Sequence, residues 1–215
     1  MDLILENVSI GLGKTMLVRP LSLTIAAGDI VTLMGPSGSG KSSLLAHIAG
    51  DLQAPLTGSG RIRLGQRDLV DLPPEARRIG RMFQDDLLFP HLTVGENLLF
   101  GIARGPRAGR LARMREALVD AGLGGFEDRA PHALSGGQRS RVSLFRSLLA
   151  RPDAMLLDEP FAKLDMDLRQ SMRAFVFSHL QDRAIPSLIV THDPADSPSQ
   201  GRVLLIGSRG EVRDA

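Results

Sequence analysis

Cysteine, tyrosine and tryptophan are absent from this 215-residue chain. Without cysteine there is no disulfide framework and no thiolate metal site, which fits a reducing compartment. Lysine is scarce and confined to Lys14, Lys41 and Lys163. The positive side is carried by arginine, and 26 basic against 24 acidic residues leave a net charge of +2. So even a balance does not give the basic surface of a nucleic-acid binder, and no nucleic-acid partner is expected. No apolar run approaches the ~18 residues of a membrane span. The opening Met1-Asp2-Leu3-Ile4-Leu5-Glu6 is acidic, unlike the lead of a signal peptide. Any membrane role is therefore expected to run through a partner. Repeats and low-complexity tracts are missing as well, and with 43% hydrophobic residues the chain suits one globular domain with a subdomain.

Glycine, by contrast, is plentiful, with 23 residues. Three of them fall in Gly35-Pro36-Ser37-Gly38-Ser39-Gly40-Lys41-Ser42. This stretch follows the apolar run Ile30–Met34, which reads as a buried strand, and precedes Ser43–Ala49, which reads as a helix. Strand, glycine loop and helix form the context of a phosphate-binding P-loop. Glycines let successive N–H groups turn toward one anion, and the helix start adds its positive dipole end. Lys41 reaches the β- and γ-phosphates, while Ser42, with Ser43 beside it, offers a hydroxyl to Mg²⁺. The competing reading is a chance glycine turn. Gly13-Lys14-Thr15 looks like the end of a second P-loop, but Val8 stands where its first glycine belongs, so it reads as a turn.

Elsewhere Leu3–Ile10 and Leu21–Ile25 read as strands around a turn at Gly11-Leu12-Gly13. Asp51–Gly60 reads as a loop, with a short outer strand running on to Leu64, and Pro73–Arg78 as a helical turn. Ile79–Phe83 reads as a strand with Gln84 at its end. From Asp85 to Ala150 the pattern is helical. Thr93 and Glu96 have capping-box spacing for a helix to Phe100. Gly101–Gly109 is a loop, and helices follow over Leu111–Ala121 and Arg139–Ala150. Arg104, Arg107, Arg110, Arg113 and Arg115 make a basic face, which fits either a solvated surface or contact with anionic lipid headgroups. Ala154–Leu157 and Ser187–Thr191 read as buried strands, Asp167–Gln181 as a helix, and Val203–Ile206 and Glu211–Arg213 as closing strands.

The P-loop, Gln84, Asp158-Glu159 and His192 each follow directly on a predicted buried strand. In a parallel α/β sheet ligands bind at the carboxyl ends of the strands, so four polar features converge on one edge. Asp158 at a strand end suits Mg²⁺ beside Ser42, and Glu159 is placed to polarise an attacking water. Ser135-Gly136-Gly137-Gln138 opens a helix and forms a second anion-binding terminus. His47, His91, His132 and His179 lack such a context and read as ordinary residues.

The order of these motifs resembles the ATP-binding cassette (ABC) ATPase family, over essentially the whole chain. The resemblance implies an α/β P-loop NTPase core with a mostly parallel sheet, an N-terminal antiparallel β subdomain and an inserted helical subdomain. Residues 1–84 and 151–215 would form the core, and 85–150 the helical part. Leu134–Gln138 looks like the family signature, which caps the γ-phosphate on the P-loop of a second copy in a head-to-tail dimer holding two ATPs. Gln84 matches the glutamine that touches Mg²⁺ and water. Glu159 matches the catalytic base, and Asp165 lies in the matching loop near the dimer axis. His192 matches the histidine that contacts the γ-phosphate. The Gln84–Val94 region resembles the surface that receives transmembrane permease subunits, which in turn meet a solute-binding protein.

The implied function is ATP hydrolysis energising import of a small solute, from the cytoplasmic face of the cell membrane. The alternatives are an exporter or lipoprotein-release ATPase and a soluble non-transport ABC ATPase. Three departures stand out. The family stacks adenine on an aromatic residue at a place matching the surroundings of Leu12, whereas the first phenylalanine here is Phe83. Ala162 replaces a common serine. Ending at Ala215, the chain is expected to lack the C-terminal regulatory domain of many importer ATPases.

Overall fold

The computed structural model describes residues 1–215. Alternating aliphatic residues pleat the first segment into strand β1 (Leu3–Leu12), whose Leu3, Leu5, Val8 and Ile10 are fully buried. It pairs antiparallel with β2 (Thr15–Ile25) and with β4 (Leu56–Leu64), and β5 (Arg67–Asp68) completes a sheet of order β2-β1-β4-β5. This hairpin is longer than the sequence suggests. Gly11 and Leu12 are strand residues, Leu12 pairs with Thr15, and the turn is Gly13-Lys14, with Gly13 at φ +59°. Pro20 obscures the early start of β2. It is tolerated there because β2 is an edge strand with no ladder on its outer side. β4 also begins earlier than the loop reading of Asp51–Gly60 allows. Gly58 is required in it, because a Cβ would collide with the His47 ring.

The second sheet has the order β10-β9-β3-β8-β7-β6. Its members are β3 (Ile30–Met34), β6 (Ile79–Met82), β7 (Ala154–Asp158), β8 (Ser187–Thr191), β9 (Arg202–Ile206) and β10 (Val212–Asp214). β3 runs parallel to β8 and β9, β7 runs parallel to β8, and β10 is paired antiparallel to β9. β7 and β8 are buried at every position, as their unbroken apolar runs require. The architecture is thus α/β with a mostly parallel sheet, a P-loop NTPase fold. Helix α1 (Lys41–Ala49) lies against β1, β4 and β7. It contributes Leu44, Leu45 and Ile48, all fully buried, to the core, each worth about 1.5–3 kcal/mol.

Two compact units are distinguished: residues 1–81, 153–159 and 174–215, and residues 82–152 and 160–173. The first holds both sheets, α1 and the short α2 (Pro74–Arg77). Arg77 in α2 is only 5% exposed. Its guanidinium donates to the carbonyls of His47 and Ile48 at 2.9 Å each, and to Leu72 and Val70 at 2.9 and 3.0 Å, so it closes the open C-terminus of α1.

The second unit packs α3 (Val94–Gly101) against α4 (Arg107–Asp120) and α5 (Gly136–Leu149). Asn97 is fully buried and satisfied on both ends, accepting from Phe89 N–H at 2.9 Å and donating to the Phe89, Leu92 and Thr93 carbonyls. Two boundaries differ from expectation. α4 starts inside the stretch read as a loop, immediately after Pro106, and α5 starts three residues early because Ser135 caps it. Two residues of the basic face, Arg110 and Arg113, donate to the last carbonyls of neighbouring helices, at Leu99 and Leu149. The long helix α6 (Met166–Asp182) begins where Asp165 Oδ1 accepts Leu168 N–H at 3.0 Å.

Candidate functional site

The parallel register places three strand ends side by side, with Met34 of β3 level with Thr191 of β8 and Asp158 of β7 level with Val190. The chain therefore delivers Gly35, His192 and Glu159 to the same carboxyl edge. Gly35 is required by packing, since a Cβ there would come within 2.5 Å of both Ile206 Cγ2 and the Ile206 carbonyl. Gly38 and Gly40 take φ +79° and +90°, a region open to glycine, and Gly40 serves as the N-cap of α1. The bare helix start leaves backbone N–H groups pointing into the loop.

Lys41 is 8% exposed, and its ammonium donates to the carbonyls of Gly35 and Pro36 at 2.8 and 2.7 Å. Burial pushes its pKa down, opposed by the nearby Glu159 and Asp158 carboxylates. Those hydrogen bonds hold the loop in a ring around its own cation.

Asp158 is 4% exposed, and burial pushes its carboxyl above the ordinary range. The Ser42 hydroxyl and the charges of Arg81 and Lys41 act the other way, while Glu159 adds to the rise. Its Oδ1 is buried without a hydrogen-bond partner. A hydroxyl and a carboxylate together, with one oxygen unsatisfied, are hard ligands suited to Mg²⁺. No group of three or more His, Cys, Asp or Glu side chains converges to cage a metal, so such an ion would draw its other ligands from water and phosphate.

Glu159 sits at φ +51°, a left-handed conformation that costs a non-glycine residue about 1–2 kcal/mol. Its N–H is tied to the Val190 carbonyl at 2.8 Å, and its Oε1 lies 2.9 Å from His192 Nδ1. The hydrogen bond to Glu159 raises the His192 pKa above its usual 6.5. The turn carrying His192 is itself fixed. Thr191 Oγ1 donates to the buried Asp196 at 2.7 Å and accepts Asp193 N–H at 3.1 Å.

Lys41, Ser42, Asp158, Glu159 and His192 thus come together in the first unit. Gln84, Ser135–Gln138 and Asp165 lie in the second. Gln84 is exposed, two residues past the end of β6. Ser135 and Gln138 form a reciprocal capping box, with Gln138 N–H on Ser135 Oγ at 3.3 Å and Ser135 N–H on Gln138 Oε1 at 2.9 Å. Gly137 packs so closely that a Cβ would stand 3.0 Å from the Lys163 carbonyl.

Arg81, Thr191 and Asp196 support the site without carrying a sequence motif. Arg81 Nη1 holds both oxygens of Asp51, at 2.5 and 2.6 Å, and its Nη2 donates to the Ser42 carbonyl at 3.3 Å. A charged residue inside an otherwise apolar strand is the signal that could have found it. Near the P-loop, Val18 and Leu17 crowd Gly40, and the adjoining hairpin exposes Leu12 and Met16, so the surface beside the phosphate loop is aliphatic.

The ABC transporter family profile matches residues 18–162. The chain is 44% identical to the uncharacterized ABC transporter ATP-binding protein YnjD of Escherichia coli K12, over 94% of each. It is 42% identical to the sulfate/thiosulfate import ATP-binding protein CysA of Thermosynechococcus vestitus, covering 99% of this chain but 63% of that protein. Its fold is similar to the dimeric bacterial ABC transporter cassette MJ0796, also solved in a post-hydrolysis state with ADP and Pi. The first of those two structures gives a TM-score of 0.87 at 30% identity, covering 99% of this chain and 97% of the other.

Proposed function

The chain belongs to the ABC transporter family as an ATP-hydrolysing cassette, and on that premise we propose how its residues divide the work. Backbone N–H groups of the Gly35–Ser43 loop, other than Pro36, hold the phosphates, and Lys41 exchanges its two loop carbonyls for phosphate oxygens. Ser42 and Asp158, with Gln84, would hold Mg²⁺, which supplies positive charge beside the phosphates when bound. Glu159, drawn back by its left-handed backbone and by His192, orients water and takes its proton. His192, exposed and held toward cationic character by Glu159, is available to a γ-phosphate oxygen.

Ser135–Gln138 of a second copy completes each site, with Asp165 near the two-fold axis, so that two ATPs are enclosed. The helical part, residues 85–150, carries that signature and, through the Gln84–Val94 region, meets membrane-embedded permease subunits. The chain then acts as the peripheral motor of an importer for a small solute delivered by a binding protein. Similarity to a sulfate/thiosulfate import subunit supports the direction of transport. No helix is long and apolar enough to cross a membrane.

The observation that carries this reading is the convergence of Lys41, Ser42, Asp158, Glu159 and His192 at one sheet edge. Glu159→Gln tests it: turnover is expected to fall at least ~100-fold, while ATP binding, followed by calorimetry, is retained. Hydrolysis at the parent rate would remove Glu159 from the role of base.

A further inference from the structure

Within the second unit, one carboxylate stands between the stretch after β6, the start of α5 and the loop before α6. Asp86 follows Gln84 closely, and its side chain is 11% exposed. Its Oδ2 lies 3.4 Å from Arg139 Nε, and its Oδ1 lies 3.2 Å from Lys163 Nζ. Arg139 belongs to the first turn of α5 and also donates from Nη1 to the Leu134 carbonyl at 2.7 Å. Lys163 belongs to the loop before α6, and its carbonyl is the group on which Gly137 packs.

The contact continues along α5. Arg146, seven residues after Arg139 and so on the same helix face, donates to the Leu87 carbonyl at 3.0 Å and stands 5.3 Å over the Phe89 ring. Leu87 itself is at φ +41°, a conformation that surrounding contacts must hold.

We propose that Asp86 is the positioning residue that fixes the Ser135–Gln138 helix start and the 160–165 loop relative to the segment offered to the permease. The physical reason is charge balance. Two cations from separate segments share one largely buried carboxylate; without it they repel each other while one still holds Leu134. The same carboxylate lies within the Gln84–Val94 segment expected to meet the permease, three residues before Phe89. A displacement of that segment therefore moves the partner of Arg139 and Lys163 directly. This inference rests on the reading of Ser135–Gln138 as the group that meets a second copy's nucleotide.

The test has two readouts on the full chain. In the isolated protein, Asp86→Ala is expected to speed amide exchange roughly tenfold at residues 137–140 and 163–165, leaving the amides of α1 unchanged. Asp86→Glu is expected to restore protection. In a Glu159→Gln background, Asp86→Ala is expected to raise the ATP concentration needed for dimerisation roughly tenfold, the loss of one charge-assisted pair. ATP affinity of the monomer should stay unchanged. Lys163→Met added to Asp86→Ala should weaken the dimer less than the sum of the two single effects. Unchanged exchange in Asp86→Ala, or equal acceleration throughout the chain, would overturn the proposal. If Glu159→Gln itself stays monomeric with ATP, the two-copy reading fails, and the exchange data alone decide the role of Asp86.

Discussion

The two units hold their functional groups by different means. In the first, every reactive side chain sits on or next to a buried parallel strand, and the neighbouring strands fix its place: Glu159 N–H is bonded to β8, and Gly35 is pressed on β9. In the second, Gln84 stands just past a strand and the other candidate groups stand at helix starts, fixed by capping side chains and by ion pairs that are partly open to water. Precision and movement reside in different places. Strand ends embedded in a core are bistable only at high cost. Capped helix ends joined by pairs whose cations stay partly open to water shift more readily and are screened by salt. On the proposed reading, chemistry is placed on the first, and engagement with other chains on the second.

The largest stability effect is expected from Arg77→Met, which strips donors from two carbonyls at the end of α1 and two in the segment before α2. A loss of about 2–4 kcal/mol is expected, measured by urea unfolding; a loss below about 0.5 kcal/mol would show that water caps α1 equally well. Next come the two capping boxes of the second unit. Thr93→Ala and Ser135→Ala should each cost about 1 kcal/mol, but Ser135→Ala should lose far more turnover. Equal turnover in the two variants would erase the distinction between a structural cap and a nucleotide-facing one.

The smallest effect concerns His192. Its pKa is raised by the hydrogen bond to Glu159, so the protonated ring is favoured in the folded state. Stability from this contact is fully present below about pH 6.5 and is lost as pH rises through the folded pKa. Because His192 is mostly exposed, solvent screening keeps that contribution small. Ring-proton NMR should give a midpoint above 6.5 in the parent and a lower one in Glu159→Gln. An unshifted midpoint would mean the pair does not persist in solution.

Most of the first unit's site was legible in the sequence because its chemistry is local. Gly35–Ser42 lies between an apolar run and a helix, and Asp158-Glu159 ends another apolar run, so period and spacing suffice. What escaped notice depends on partners far apart in the chain. Arg81 reaches Asp51 across 30 residues, Arg77 reaches His47 across the same span, and Asp86 reaches Lys163 across 77. No periodicity encodes those pairs, and lone arginines read as surface charge. The early start of β2 was hidden by Pro20, which matters only once the strand is known to be an edge. The start of α4 was hidden by Gly105 and Gly109, around which the structure leaves open space.

On the proposed reading each nucleotide site is shared, with Lys41 from one copy and Ser135–Gln138 from another. Mixing two inactive variants separates a shared site from a self-contained one. Lys41→Ala loses the phosphate contact, and Gly137→Asp sets a carboxylate at the helix start that would face phosphate. A head-to-tail pair of one of each contains one site with both parts intact. ATPase activity of the mixture is therefore expected to rise well above the sum of the separate variants. Activity equal to that sum at every mixing ratio would contradict the shared site.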